Sequence, residues 1–145
     1  MSKGIYCLVL RLTTLNKIRI GSLGELDFEP GYYLYVGSAL GSGGLSRVKR
    51  HLRFSQEKYM KPKWHIDYLD SIAPIVATFC AETDKRLECA LAHAIGGKSV
   101  FGFGCSDCDC KSHLFYRENE PFKEIESAFS SLGLSVRCNI VGDSF

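Results

Sequence analysis

The stretch from Gly4 to Arg11 is almost continuously apolar, the pattern of a strand covered on both faces. Lys17 to Phe28 reads as short strand pieces broken by Gly21 and Gly24, a hairpin-like excursion that ends at the Pro30-Gly31 turn. Tyr32 to Gly37 is a second core strand, and its alternation puts Tyr33 and Tyr35 on one face and Tyr32, Leu34 and Val36 on the other. A glycine-rich loop, Ser38 to Gly44, then leads into a helix over about Leu45 to Phe54, where Leu45, Val48 and Leu52 form an apolar stripe. A short helix is predicted to start near Pro62, and Ile75 to Ala81 is a third core strand. The next helix, about Asp84 to Ile95, is expected to bury Leu87, Ala90, Leu91 and Ala94 and to stop at Gly96-Gly97.

Past that point the pattern changes. Phe101 to Lys111 is rich in glycine and cysteine and predicts an irregular, tightly turned segment. Leu114 to Tyr116 suits a short strand, Pro121 to Leu132 an amphipathic helix through Phe122, Ile125 and Phe129, and Val136 to Val141 a last strand. No internal repeat or linker interrupts the chain. The reading is therefore one domain over 1–116 that includes the cysteine-rich segment 101–113, with a C-terminal extension, 117–145, packed on it.

Composition adds little to this outline and excludes a few classes. With 145 residues and 46% apolar content, the chain is long enough to bury a continuous core. The longest apolar run is far short of a bilayer span and the N-terminus lacks the plan of a secretory signal, so the expectation is a cytoplasmic protein with no membrane partner. Seven cysteines, an odd number with Cys7, Cys80 and Cys89 inside apolar runs, argue for a reducing compartment over a disulfide framework.

Net charge is only +2, but its distribution is uneven. Arg47, Lys49, Arg50, Arg53, Lys58, Lys61 and Lys63 crowd one segment against the single acid Glu57. Such a segment suits a phosphate backbone, and equally a solvated basic face. The loop Gly37 to Gly44 lacks the Gly-Lys-Ser/Thr ending of a nucleotide-binding P-loop, so an ATPase is rejected. Its glycines let backbone N–H groups approach a phosphate at a helix N-terminus.

Two short motifs organise the rest: Gly4-Ile5-Tyr6 on the first strand and Tyr35-Val36-Gly37 on the second, followed by a helix with Arg47 and His51 and, later, a helix with Glu88. In this order they resemble the GIY-YIG nuclease superfamily over roughly residues 4–95. The runs GYYLYVGSALGSGGLSRVKRHL, WHIDYL and GFGCSDCDCKSHLFY narrow the resemblance to the Uri-type endonuclease branch, as far as about Tyr116. The resemblance implies an α/β (α+β) fold with a small antiparallel three-stranded core sheet flanked by helices, to which this chain adds its excursion and extension.

It also implies a site. Tyr6 and Tyr35 would line it, one of them helping to deprotonate the attacking water; Arg47 would hold the scissile phosphate, His51 would assist, and Glu88 would bind Mg²⁺ or Mn²⁺. These types suit phosphodiester hydrolysis, which needs a positioned water, neutralised phosphate charge and a hard cation on oxygen ligands. A guanidinium forks onto phosphate oxygens as an ammonium does not. On the predicted helix Arg47 and His51 stand at i, i+4 along one border of the apolar stripe, whereas Arg50 and Arg53 are expected to point outward. Ser38, Lys49, Arg50, Arg53, Lys61, Lys63 and His65 are the candidate nucleic-acid contacts. Taken singly, each residue also fits an ordinary role: half-buried strand tyrosines, a solvated helical acid, surface cations.

Cys105, Cys108, Cys110 and His113 are four zinc-type ligands in nine residues, closer than the two separated pairs of an ordinary tetrahedral site. They are a candidate zinc site, or a turn of packed, reduced thiols that takes ligands from elsewhere. The expected function is a metal-dependent endonuclease in nucleic-acid repair or processing, acting on DNA ahead of RNA. The alternatives are a nucleic-acid-binding module that cuts weakly and a zinc-stabilised interaction domain.

Overall fold

The computed structural model describes residues 2–57, 65–100, 103 and 112–141. The apolar run near the N-terminus forms β1 (Gly4–Leu12), buried along all but one of its nine residues. The excursion follows as β2 (Asn16–Arg19), a single 3-10 turn at Gly21–Leu23, and β3 (Glu25–Phe28). Next come β4 (Gly31–Ala39), α1 (Ser46–Glu57), α2 (His65–Asp70), β5 (Ile75–Glu82) and α3 (Glu88–Ile95). The tail supplies β6 (Leu114–Arg117), α4 (Phe122–Ser131) and β7 (Arg137–Ile140).

The main sheet has five strands in the order β6-β4-β1-β5-β7, every neighbouring pair antiparallel. This corrects the expected three-stranded sheet. The central three, β4-β1-β5, match the expected core strands, and two tail strands extend them. Each outer strand adds itself to an edge whose backbone N–H and C=O groups would otherwise lack a ladder partner. β6 pairs Leu114 with Tyr35, and β7 pairs Arg137 with Cys80. All four residues of β7 are exposed, so it closes the sheet through its backbone and buries no side chain.

Because β1 is central, its alternation divides the molecule into two cores. Tyr6, Leu8, Leu10 and Leu12 face one way and pack with Tyr33, Leu45, Val48, Ile66 and Leu69, beneath α1 and α2. The excursion closes the same core through Ile20 and Phe28. Ile5, Cys7 and Val9 face the other way and pack with Leu34, Val36, Phe79, Leu91, Ile125 and Phe129, beneath α3 and α4. Leu45, just ahead of α1, and Val48 are buried as the stripe requires, Leu52 is half-buried, and the buried face continues through His51 and Phe54.

α3 starts at Glu88, four residues later than its pattern suggests. The Thr83 hydroxyl accepts the backbone N–H of Lys85, which holds the chain in a local turn at the expected helix start. The buried face is consequently Leu91 and Ala92, with Leu87 and Ile95 beside them, and Ala94 is exposed.

Arg117 binds the tail to this layer. Its guanidinium donates to the Ile95 and Gly96 carbonyls at the end of α3, to the Tyr116 carbonyl, and through Nε to Glu124 of α4 at 2.8 Å. These carbonyls have no partner within the helix, and a cation there opposes the partial negative charge of a helix C-terminus. Replacing Arg117 with Met is expected to lower stability by about 1–3 kcal/mol, measured by urea denaturation, because charge-assisted bonds to partly buried carbonyls are lost.

Candidate active site

The two tyrosine motifs meet across one strand pair. Tyr6 of β1 lies opposite Gly37 of β4, and Leu8 lies opposite Tyr35. The Tyr6 ring crosses directly over Gly37, where a side-chain Cβ would run into the ring and hydroxyl of Tyr6. Gly4 is constrained in the same way, since a Cβ there would strike the Ala81 carbonyl and the Leu45 side chain. The glycines of both motifs are thus spaces that the sheet and the tyrosine occupy.

Tyr6 projects onto the α1 face and is 2% exposed. Its hydroxyl lies 3.1 Å from Nε2 of His51, itself 1% exposed, and the rings stand 5.6 Å apart. Burial pushes the Tyr6 phenol far above its ordinary value, the nearby Tyr35 phenol raises it further, and Arg47 and Arg50 pull it back. Burial also drives the His51 imidazole down to about 4, with Asp67 opposing and Arg50 and Arg47 assisting. At neutral pH the pair is therefore a phenol and a neutral imidazole, and with the ring proton on Nδ1 the phenol donates to Nε2.

Tyr35 is half-buried on the same face, its ring 6.4 Å from His51 and 6.1 Å from Phe103. Phe103 in turn packs 5.5 Å from the ring of His65, the first residue of α2, whose imidazole is lowered by burial. Arg47 is exposed at the start of α1 and donates to the Ser38 carbonyl at 3.0 Å. A cleft of about 350 Å³ opens beside it, lined by Ala39, the loop Gly41 to Gly44, Ser46, Arg47 and Arg50. The loop is folded by its own bonds, Gly44 N–H to the Gly41 carbonyl and Ser46 N–H to the Gly43 carbonyl.

Arg50 turns inward, contrary to the outward position expected of it. It grips Asp67 of α2 with two bonds, 2.7 and 3.0 Å, and Asp67 is fully buried. The fork joins α1 to α2 and places a fixed charge pair behind the cleft. Lys49 and Arg53 are exposed on α1. Lys61, Lys63, Cys105, Cys108 and Cys110 lie outside the described residues.

Glu88 stands apart from this group. It is the half-buried first residue of α3, a helix packed on the other core, and the charges acting on Tyr6 and His51 come from Tyr35, Arg47, Arg50 and Asp67. Cys89 beside it reaches His113, Sγ to Nε2 3.9 Å, and the His113 carbonyl accepts the backbone N–H of Val36. That contact brings the start of α3 toward the strand segment Tyr35-Val36-Gly37. Among the described residues no three His, Cys, Asp or Glu side chains gather into a metal-binding group.

Sequence reasoning missed Asp67, Phe103 and Cys89. Asp67 carried a readable signal, a lone carboxylate in the apolar run Ile66 to Leu69. Phe103 had none, because its partners Tyr35 and His65 are distant in the chain.

A family model described as Domain of unknown function DUF123 matches residues 5–134, and the chain belongs to that family. No curated protein and no solved structure matches it. No helix among the described residues is long and apolar enough to cross a membrane.

Two outcomes follow from the buried pair. Gly37→Ala is expected to displace the Tyr6 ring and cost about 1–3 kcal/mol in urea denaturation, the usual penalty of overpacking. For His51, the unfolded imidazole takes a proton near the reference value of ~6.5, whereas the folded one does so only at about 4. Across that window the unfolded state binds more protons, so the stabilisation present above pH ~6.5 is lost as pH falls toward 4. Measured as the difference between wild type and His51→Gln, stability should converge on acidification, and NMR should find the His51 ring still neutral at pH ~5.5.

Proposed function

We propose that the protein is a GIY-YIG-type endonuclease of the Uri branch that hydrolyses nucleic-acid phosphodiesters with a divalent cation. The observation that carries this reading is the Tyr6 hydroxyl held 3.1 Å from a neutral His51, with Arg47 acting on it at the rim of a glycine-lined cleft. Few structural needs call for two tyrosines, a histidine and two arginines around one strand pair. A phosphoryl-transfer site calls for all of them.

In this reading the chain's groups divide the work. Arg47, exposed and already orienting toward the Ser38 carbonyl, neutralises phosphate oxygens that enter the cleft. Lys49 and Arg53, exposed on α1, and Ser38 on β4 are further contacts for the nucleic acid, and the bonded fork of Arg50 and Asp67 fixes the helix that presents the two cations. Tyr35, half-buried, faces the attacking water. Tyr6 supports it from behind, its hydroxyl donating to His51 Nε2 and staying protonated; the water oriented by the Tyr35 hydroxyl gives up its proton to solvent at the open cleft as its oxygen bonds to phosphorus and the bond to the leaving alkoxide breaks. Glu88 would hold Mg²⁺ or Mn²⁺ as an oxygen donor, since these ions bind through one or two carboxylates and keep water and phosphate as remaining ligands; it lies outside the tyrosine–histidine group, and the Cys89–His113 contact is what brings its helix start toward Tyr35-Val36-Gly37. Such an ion, when bound, supplies Lewis-acid stabilisation of the developing charge.

One observation favours a second reading, a module that binds nucleic acid without efficient cutting. Tyr6 and His51 are 2% and 1% exposed, which also suits a pair kept for packing. Cleavage of labelled single-stranded, duplex and branched DNA and RNA in Mg²⁺ or Mn²⁺ decides between them. The endonuclease reading expects cutting that needs metal, vanishes in Glu88→Ala, and falls by about 10²-fold or more in Arg47→Ala and in Tyr35→Phe. Salt-sensitive binding with no cutting, unaltered by Glu88→Ala, would establish the binding module instead.

A further inference from the structure

The cleft beside Arg47 holds a glycine that the fold itself does not require. Gly44 closes the loop with a φ of +55, a conformation that favours glycine, and its N–H bonds to the Gly41 carbonyl. Gly41 is the first residue of that turn, a position where Asp, Asn and Ser are ordinary. Its φ lies outside the left-handed region, and a Cβ built on it would meet nothing within 4 Å. Gly24 and Gly133 also have open space at that point, but their φ values of +79 and +75 account for them. Glycine is costly in chain entropy, so an exposed one with neither crowding nor a positive φ has another reason to be there. Gly41 lines the cleft, and the room its missing side chain leaves is room for whatever enters.

The other walls define what that is. Among the described residues that line the cleft, side chains come from Ala39, Ser42, Ser46, Arg47 and Arg50. None is an aromatic ring on which a base could stack, and none is an amide or carboxylate that could read a base edge. The Arg50 guanidinium, a group that can fork onto guanine, is engaged in its fork on Asp67. Two cations and a bare stretch of backbone suit a sugar-phosphate unit, and the cleft, at about 350 Å³, has space for one. Arg47 lines this cleft and also acts on the Tyr6 hydroxyl, so a strand held at the one place is carried to the other.

Granted the nucleic-acid reading given above, on which this rests, we propose that the cleft holds the sugar-phosphate next to the one presented to the tyrosines, and that Gly41 is the residue that gives it room. The protein then grips a strand at this point by its backbone, whatever the base. None of the cutting chemistry is needed: a protein that binds strands without cleaving them would use the cleft in the same way. A side chain at 41 stands where the sugar and phosphate lie and leaves the fold untouched.

The test measures binding in chelator at low salt, by fluorescence anisotropy of a labelled oligothymidylate and of its abasic counterpart. Gly41→Val is expected to weaken both by about tenfold or more, with the same loss on each. Its urea midpoint should equal that of wild type, since the added carbons have open space. Gly41→Ala, which adds the Cβ alone, should show a smaller loss in the same direction at equal or slightly higher stability, and it serves where valine disturbs the loop. On any substrate that is cut, Gly41→Val should raise KM and leave kcat nearly unchanged. Wild-type affinity in both variants overturns the proposal, even where the protein proves to be a nuclease. A loss confined to the base-bearing probe overturns it too, because the cleft would then be reading bases. Binding that falls in Gly41→Val, with no cutting of any substrate, supports the cleft and removes the endonuclease reading alone. No binding of either probe by wild type overturns the cleft and the nucleic-acid reading together.

Discussion

Everything in this fold depends on β1 being buried on both faces between two antiparallel ladders. It pairs with β4 along its whole length and with β5 over most of it, so its backbone groups are satisfied by strands rather than by water. Period-two alternation then leaves no choice about where its side chains go. Tyr6 must enter the layer under α1, and Ile5 and Cys7 must enter the layer under α3. A one-residue slip would exchange the two sets and carry the tyrosine away from His51 altogether.

From that constraint the site is built by short steps. The strand fixes Tyr6, the sheet register brings Gly37 under its ring, and α1 lays His51 against its hydroxyl. Desolvation sets the protonation states, because neither the phenolate nor the imidazolium is well solvated there. The fork of Arg50 on Asp67 keeps two charges satisfied at the edge of this apolar layer, where an unpaired carboxylate would be costly to bury. Arg47 remains at the surface, next to the cleft.

Much of this was legible in the chain because it is local. The core strands and α1 follow from alternation and from the i, i+3, i+7 stripe, and the structure places each within a few residues of its pattern. What escaped was set by partners far away in sequence. The sheet's outer strands are β6 and β7, but nothing in Leu114–Arg117 or Arg137–Ile140 says which edge each will join. Arg50 was expected to face water because helical phase alone put it there, and a carboxylate on the next helix drew it inward. α3 began late because residues 83–87 close local turns, Lys85 N–H on the Thr83 hydroxyl and Leu87 N–H on the Lys85 carbonyl, in place of a first helical turn. In the site, Tyr6, Tyr35, Arg47 and His51 were nameable as types in order, whereas Asp67, Phe103 and Cys89 acquire meaning only from what they touch.

The crossing of Tyr6 over Gly37 ties together two motifs separated by the whole excursion. They form one shape written in two places, a ring and the hollow that receives it. Substitutions at the two positions are therefore not independent: a smaller residue at 6 removes the reason for glycine at 37, and a side chain at 37 removes the room for tyrosine at 6. Drift at either position releases the other, so the two residues are expected to be kept or abandoned as a unit as the lineage diverges.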